Sequence, residues 1–136
     1  MLTDGRGVPI AIAVAGANAH DQSLAAETLR GIPAPRPKSS GRSKQHLCLD
    51  KAYVGKRIAR LAAQRRYELH VPLKGQVKPK RSKHKKARRW VVERAHSWTN
   101  RARRLLVRWE KKVENYLAFI HLQFAYTALQ VAGVLG

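Results

Sequence analysis

Carboxylates are scarce in this sequence: 8 Asp and Glu stand against 28 Lys and Arg, a formal net charge of +20. A chain so unbalanced repels itself and attracts polyanions, of which nucleic acid is the commonest and an anionic membrane surface the rival. Cysteine is scarcer still. The single Cys48 excludes an internal disulfide, which makes a reducing compartment the natural home, and its place in the apolar run 47–49 predicts a buried structural thiol. The start, MLTDGRG, has no charged segment followed by an apolar stretch, so a secretory signal is excluded and the cytoplasm is the expected location. No internal repeat is visible. The histidines (His20, His46, His70, His84, His96 and His121) show no ligand spacing with cysteine, and a zinc site is not expected.

What is present is enough to fold. Apolar residues make up 44% of 136, which argues against wholesale disorder and suits one domain at most. The run VPIAIAVA (8–15) reads as a buried strand. Asp21 is placed to cap the helix QSLAAETLRG, with Gly31 expected in the left-handed conformation at its end. A basic loop rich in Pro and Ser follows (about 33–45), then a strand HLCLD (46–50), a helix over 54–66 with Ile58, Leu61 and Ala62 on one face, and a strand YELHVPL (67–73). Strands alternating with helices imply a parallel sheet.

A second basic loop, about 74–89, contains no acid at all. Beyond it, Val91, Ala95, Trp98, Ala102, Leu105 and Trp109 fall on one helical stripe, with Arg89, Glu93, His96 and Asn100 opposite. Trp90, Trp98 and Trp109 are accordingly expected in the core rather than as base-stacking platforms. The apolar segment at about 115–134 is long enough in principle to span a bilayer. His121, Gln123, Thr127 and Gln130 interrupt it, so it is expected to be a buried helix, with no membrane partner.

Two carboxylates stand out against this background. Asp50 ends a strand, where ligands and catalytic groups of open parallel sheets gather. Glu93 is the only acid between Glu68 and Glu110 and faces away from the apolar stripe. Hard oxygen ligands in a polyanion-attracting surface suit a divalent metal for phosphodiester chemistry. From the residues alone two other readings stay open: Asp50 caps a turn, and Glu93 pairs with Arg89.

The order TDGRGVPIAIAVAGANAHD, then LCLDKAYVGKRIARLAAQRRYELHVPLKG, then RRWVVERAHSWTNRARRLLVRWEKKVENYLAFIHLQFAYTAL resembles the catalytic domain of bacterial insertion-sequence transposases, the IS-five-like group within the IS-four superfamily. The resemblance covers nearly the whole chain and implies an α/β, ribonuclease-H-like (retroviral-integrase-like) domain, a mixed sheet flanked by helices. It implies an enzyme of the DDE polynucleotidyl transferase type. Such an enzyme uses an Asp-Asp-Glu triad holding Mg²⁺ or Mn²⁺ to cut DNA at insertion-sequence ends and join it to target DNA. Carried over, Asp50 matches the second aspartate and Glu93 the glutamate, both catalytic and metal-binding. Lys51 and Tyr53 match their motif positions, and Arg89 and Arg94 flank the glutamate. The residues expected along DNA are Lys51, Lys74, Lys78, Lys80, Arg81, Lys83, Lys85, Lys86, Arg88, Arg89 and Arg94. Lys86 and Asn100 stand where the wider signature has Tyr and Lys, which leaves no assigned catalytic lysine.

The family's first aspartate lies upstream of the segment that TDGRGVP resembles. Asp4 matches a hairpin turn and is assigned no catalytic role. The resemblance therefore implies that residues 1–136 are an N-terminally truncated catalytic domain with impaired activity alone, with an upstream-encoded transposase fragment as its complement and, separately, a homo-oligomer as a partner expectation. Two readings of other classes accompany this one: a non-catalytic basic nucleic-acid-binding protein, indifferent to Asp50 and Glu93, and a cationic membrane-active protein.

Overall fold

The computed structural model describes residues 1–37, 44–72 and 89–135, leaving aside the side chains of Arg89 and Trp90. In chain order the elements are β1 (Leu2–Thr3), β2 (Pro9–Ala11), α1 (Asp21–Arg30), β3 (Gln45–Cys48), a 3₁₀ turn (Lys51–Tyr53), α2 (Lys56–Gln64), β4 (Tyr67–His70), α3 (Arg89–Arg101), α4 (Arg103–Leu106) and α5 (Val113–Val131). This is a mixed α/β chain. It divides into two compact units, Ala15–Lys86 and a discontinuous one made of Met1–Val14 with Ala87–Gly136.

In the unit Ala15–Lys86, β3 and β4 pair in parallel, in the register Gln45↔Tyr67, His46↔Glu68, Leu47↔Leu69 and Cys48↔His70. Helix α2 is the crossover between them. Leu47 points to the buried side, as do Ile58 and Ala62 of α2 and Leu29 of α1. Strand alternation then turns Cys48 to the opposite face, where it is exposed. The thiol expected to be buried is therefore on the surface, because its neighbour Leu47 takes the core position. Both strands also end sooner than expected, β3 at Cys48 and β4 at His70. Pro72 has no N–H to extend β4, and Asp50 turns the backbone out of the ladder after Leu49, whose N–H donates to the His70 carbonyl at 2.9 Å.

The helix ends differ from expectation too. His20, not Asp21, holds the N-cap position of α1, and Asp21 is its first helical residue, where a carboxylate favours the positive end of the helix dipole. Gly31 has φ −73°, an ordinary right-handed value. The left-handed residue is Arg66 (φ 56°), just after α2. Its side of the chain is tied by Arg65, whose guanidinium donates to the Leu29 carbonyl at 2.9 Å, and by Arg36, stacked 4.1 Å over the Tyr67 ring.

In the other unit, β1 and β2 form an antiparallel hairpin. Asp4 builds its turn: Oδ1 accepts from the N–H groups of Arg6 and Val8, each at 2.8 Å. The expected strand 8–15 shortens to Pro9–Ala11, and Ile12 and Val14 instead pack against a core of Leu105, Ile120 and Phe124. The stripe from Val91 to Trp109 is not one helix. It breaks at Ala102, whose ψ of 99° is extended. One turn earlier Thr99 Oγ1 donates back to the Ala95 carbonyl at 2.9 Å, an interaction that bends helices. Val91, Ala95 and Leu105 stay buried, but past the break Trp109 is 75% exposed. Buried instead is Glu110, which accepts a hydrogen bond from Arg104 Nε at 2.7 Å. The Arg104 guanidinium also lies 4.3 Å from the Phe119 ring of α5.

Candidate functional site

Asp50 sits two residues past the carboxyl end of β3, as the cap of the 3₁₀ turn. Its Oδ1 accepts the Lys51 N–H, which is the contact the capping reading expects. Asp50 and Lys51 are both exposed. Tyr53, at the other end of the turn, is half-buried. Burial foremost, then the negative charges of Asp21 and Asp50, push its hydroxyl above the usual tyrosine range. It stays a neutral hydrogen-bond donor at any physiological pH. The turn is held from α1, whose Gln22 side-chain amide donates to the Ala52 carbonyl.

Within the other unit, Glu93 lies exposed on α3. Arg94 follows, its guanidinium 5.7 Å from the Trp98 ring and donating to the Arg6 carbonyl at 3.5 Å. The hairpin turn of Asp4 thus lies against the helix that carries Glu93. Of the expected DNA-binding residues, Lys74, Lys78, Lys80, Arg81, Lys83, Lys85, Lys86 and Arg88 lie outside the described residues, and Arg89 is the first residue of α3.

A third constellation was not read from the sequence. The parallel register sets His46 directly opposite Glu68, with His70 two residues further along the same face of β4. His46 Nδ1 and His70 Nε2 are 2.8 Å apart. Glu68 Oε1 lies 3.9 Å from the first and 3.7 Å from the second, while its other oxygen faces Lys44 Nζ at 3.7 Å. Among the described residues this is the one group of three His, Cys, Asp or Glu side chains that could hold a metal ion. The available signal was alternation, His-x-Cys in one strand and Glu-x-His in the next. It becomes a cluster only once the register is known.

A family model described as a transposase DDE domain matches residues 47–130, a span containing Asp50, Lys51, Tyr53 and Glu93. A protein of Burkholderia cepacia named as a transposase for insertion sequence element IS402 is 30% identical over 134 residues, covering 90% of this chain and 57% of the relative. The chain thus spans a little over half the length of that curated relative. No solved structure matches it.

Proposed function

This chain belongs to the transposase DDE-domain family, and from that premise we propose that it contributes to a metal-dependent centre that cuts insertion-sequence ends and transfers the strand to target DNA. The observation that carries the proposal is the position of Asp50, an exposed carboxylate immediately beyond the carboxyl end of a parallel strand with a lysine beside it. Asp50 and Glu93 are read as two of the three carboxylates of the family triad. The parallel β3–α2–β4 unit and the hairpin of β1 and β2 support a ribonuclease-H-like arrangement.

Both carboxylates fit a hard divalent cation. Mg²⁺ takes oxygen ligands and is commonly held by one or two carboxylates together with substrate phosphates. When bound, Mg²⁺ or Mn²⁺ supplies charge stabilisation for phosphodiester chemistry. The chain's own residues do the rest: Lys51 attracts a phosphate to the turn, and Tyr53 offers a neutral hydroxyl braced against α1. The net charge of +20 draws DNA to the surface and lets phosphates complete the ion's shell.

Among the described residues no helix is long and apolar enough to cross a membrane. The proposed activity on DNA carries with it the expectation of a cytoplasmic location. It is tested by titrating Mn²⁺ or Mg²⁺ into the folded protein with a short DNA duplex, comparing wild type with Asp50→Ala and Glu93→Ala and following strand nicking. Metal uptake that needs DNA and both carboxylates, with weak nicking by the 136-residue polypeptide alone, is the expected result. The charge itself favours a second reading, a basic nucleic-acid-binding protein. DNA binding that falls steeply with salt, with no metal uptake and no effect of either substitution, would establish that reading and remove the first.

A further inference from the structure

The cluster on the outer face of β3 and β4 uses different chemistry from the carboxylates of the proposed catalytic centre. We infer that His46, Glu68 and His70 form a site for a borderline divalent transition metal of the zinc type. Two imidazole nitrogens and one carboxylate oxygen are a donor set suited to Zn²⁺, Ni²⁺ or Cu²⁺ and ill suited to Mg²⁺, which prefers oxygen and gives up water reluctantly.

The geometry supports the ligand roles. Tetrahedral zinc with nitrogen and oxygen ligands at about 2.0–2.1 Å sets neighbouring donor atoms ~3.3 Å apart. The separations here are 2.8, 3.7 and 3.9 Å, within about 0.6 Å of that value, a difference small rotamer shifts absorb. Both rings already turn a nitrogen toward one point, their centroids 4.9 Å apart. A metal ion would take the place of the hydrogen bond between the two ring nitrogens, since a ligating nitrogen carries no proton. The Glu68 oxygen that faces Lys44 is held as outer-shell carboxylate oxygens are, leaving Oε1 for the ion.

The backbone supplies the remaining support. His46 and Glu68 are register partners across a parallel ladder, and Leu47 anchors β3 in the buried layer behind them. All three ligands are exposed, so the ion keeps one or more positions open to solvent. Cys48 shares this face, opposite His70, yet its sulfur is outside the group of atoms that converge, and three ligands suffice without it. An ion here bridges β3 to β4 just ahead of the turn that carries Asp50, holding that strand end in place.

The test is a Co²⁺ titration of the full 136-residue chain followed by visible absorption, with Zn²⁺ as competitor. One Co²⁺ per chain is expected, displaced by Zn²⁺ and not by excess Mg²⁺, and retained in Asp50→Ala, Glu93→Ala, His121→Ala and Cys48→Ser. His46→Ala and His70→Ala should each weaken binding at least as much as the loss of an outer-shell partner does, about 10–100-fold. Full affinity in both histidine variants, or loss in Asp50→Ala, would overturn the assignment. Imidazole NMR resonances of the wild-type chain give a reading that needs no variant. Two of the six histidines should shift with the first equivalent of Zn²⁺, and a shift spread over the others would count against the site.

Discussion

A methyl group on Gly7 would sit 3.0 Å from the carbonyl oxygen of Val91 and 3.3 Å from Arg94 Cδ. The turn between β1 and β2 therefore packs against the first turns of α3, touching the Val91 carbonyl two residues before Glu93 and the Arg94 side chain one residue after it. Gly7 also has φ +92°, a conformation L side chains rarely adopt. The hairpin and the glutamate are thus coupled through a position where only glycine fits.

Gly7→Ala is expected to lower the stability of this unit by about 1–3 kcal/mol, from the strained backbone and the contact with the Val91 carbonyl. Chemical denaturation compared with Gly5→Ala measures it. Gly5 has open space around it and no positive φ, so its substitution should cost far less.

Asp50 combines a cap and a proposed ligand, and the two are separable. Asp50→Ala removes both functions and should cost roughly 0.5–2 kcal/mol of local stability in addition to any activity. Asp50→Ser keeps an acceptor for the Lys51 N–H while removing the carboxylate. Thermal stability close to wild type with complete loss of metal-dependent nicking is expected, and nicking that survives in Asp50→Ser would remove Asp50 from the metal-binding set.

Glu110 makes the acid response of the fold predictable in sign. The hydrogen bond from Arg104 holds its carboxyl below the usual carboxylate range, ahead of the opposing effect of desolvation. A carboxylate whose folded pKa is depressed contributes stability above its unfolded pKa and loses it as pH falls through the folded one. Thermal midpoints taken from about pH 7 down to pH 3 should fall less steeply for Glu110→Gln than for wild type. The variant should also start lower at neutral pH, because Arg104 then faces an uncharged amide.

Local pattern carried the sequence reading a good way and then failed at identifiable residues. The runs around Leu47 and Leu69 are short and apolar enough to mark two strands separated by a helix, and their parallel pairing follows. Their ends were not legible, since β3 stops at Cys48, ahead of Asp50, and β4 at His70, ahead of Pro72. The stripe from Val91 to Trp109 obeys a helical period, but the period is silent about a Thr99 side chain that competes for the Ala95 carbonyl and bends the helix. Cys48 was misplaced because an apolar run does not say which of its residues faces inward. At the candidate site, Asp50 and Glu93 were visible as isolated acids in a basic chain. His46, Glu68 and His70 were not visible as a group, because their proximity depends on a one-residue choice of register.

The division of the chain bears on how it is made. The unit Ala15–Lys86 is continuous in sequence, whereas the other joins Met1–Val14 to Ala87–Gly136. During synthesis the β3–α2–β4 segment has all its partners within a few dozen residues and can form as soon as it emerges. The amino-terminal hairpin is made first, yet its core partners Leu105, Ile120 and Phe124 arrive almost last. Closing that long loop costs entropy before any contact rewards it. Ile12 and Val14 therefore wait uncovered through most of translation. An interruption of synthesis after Lys86 but before α5 would release a chain with one finished unit and an uncovered apolar segment at Ile12 and Val14.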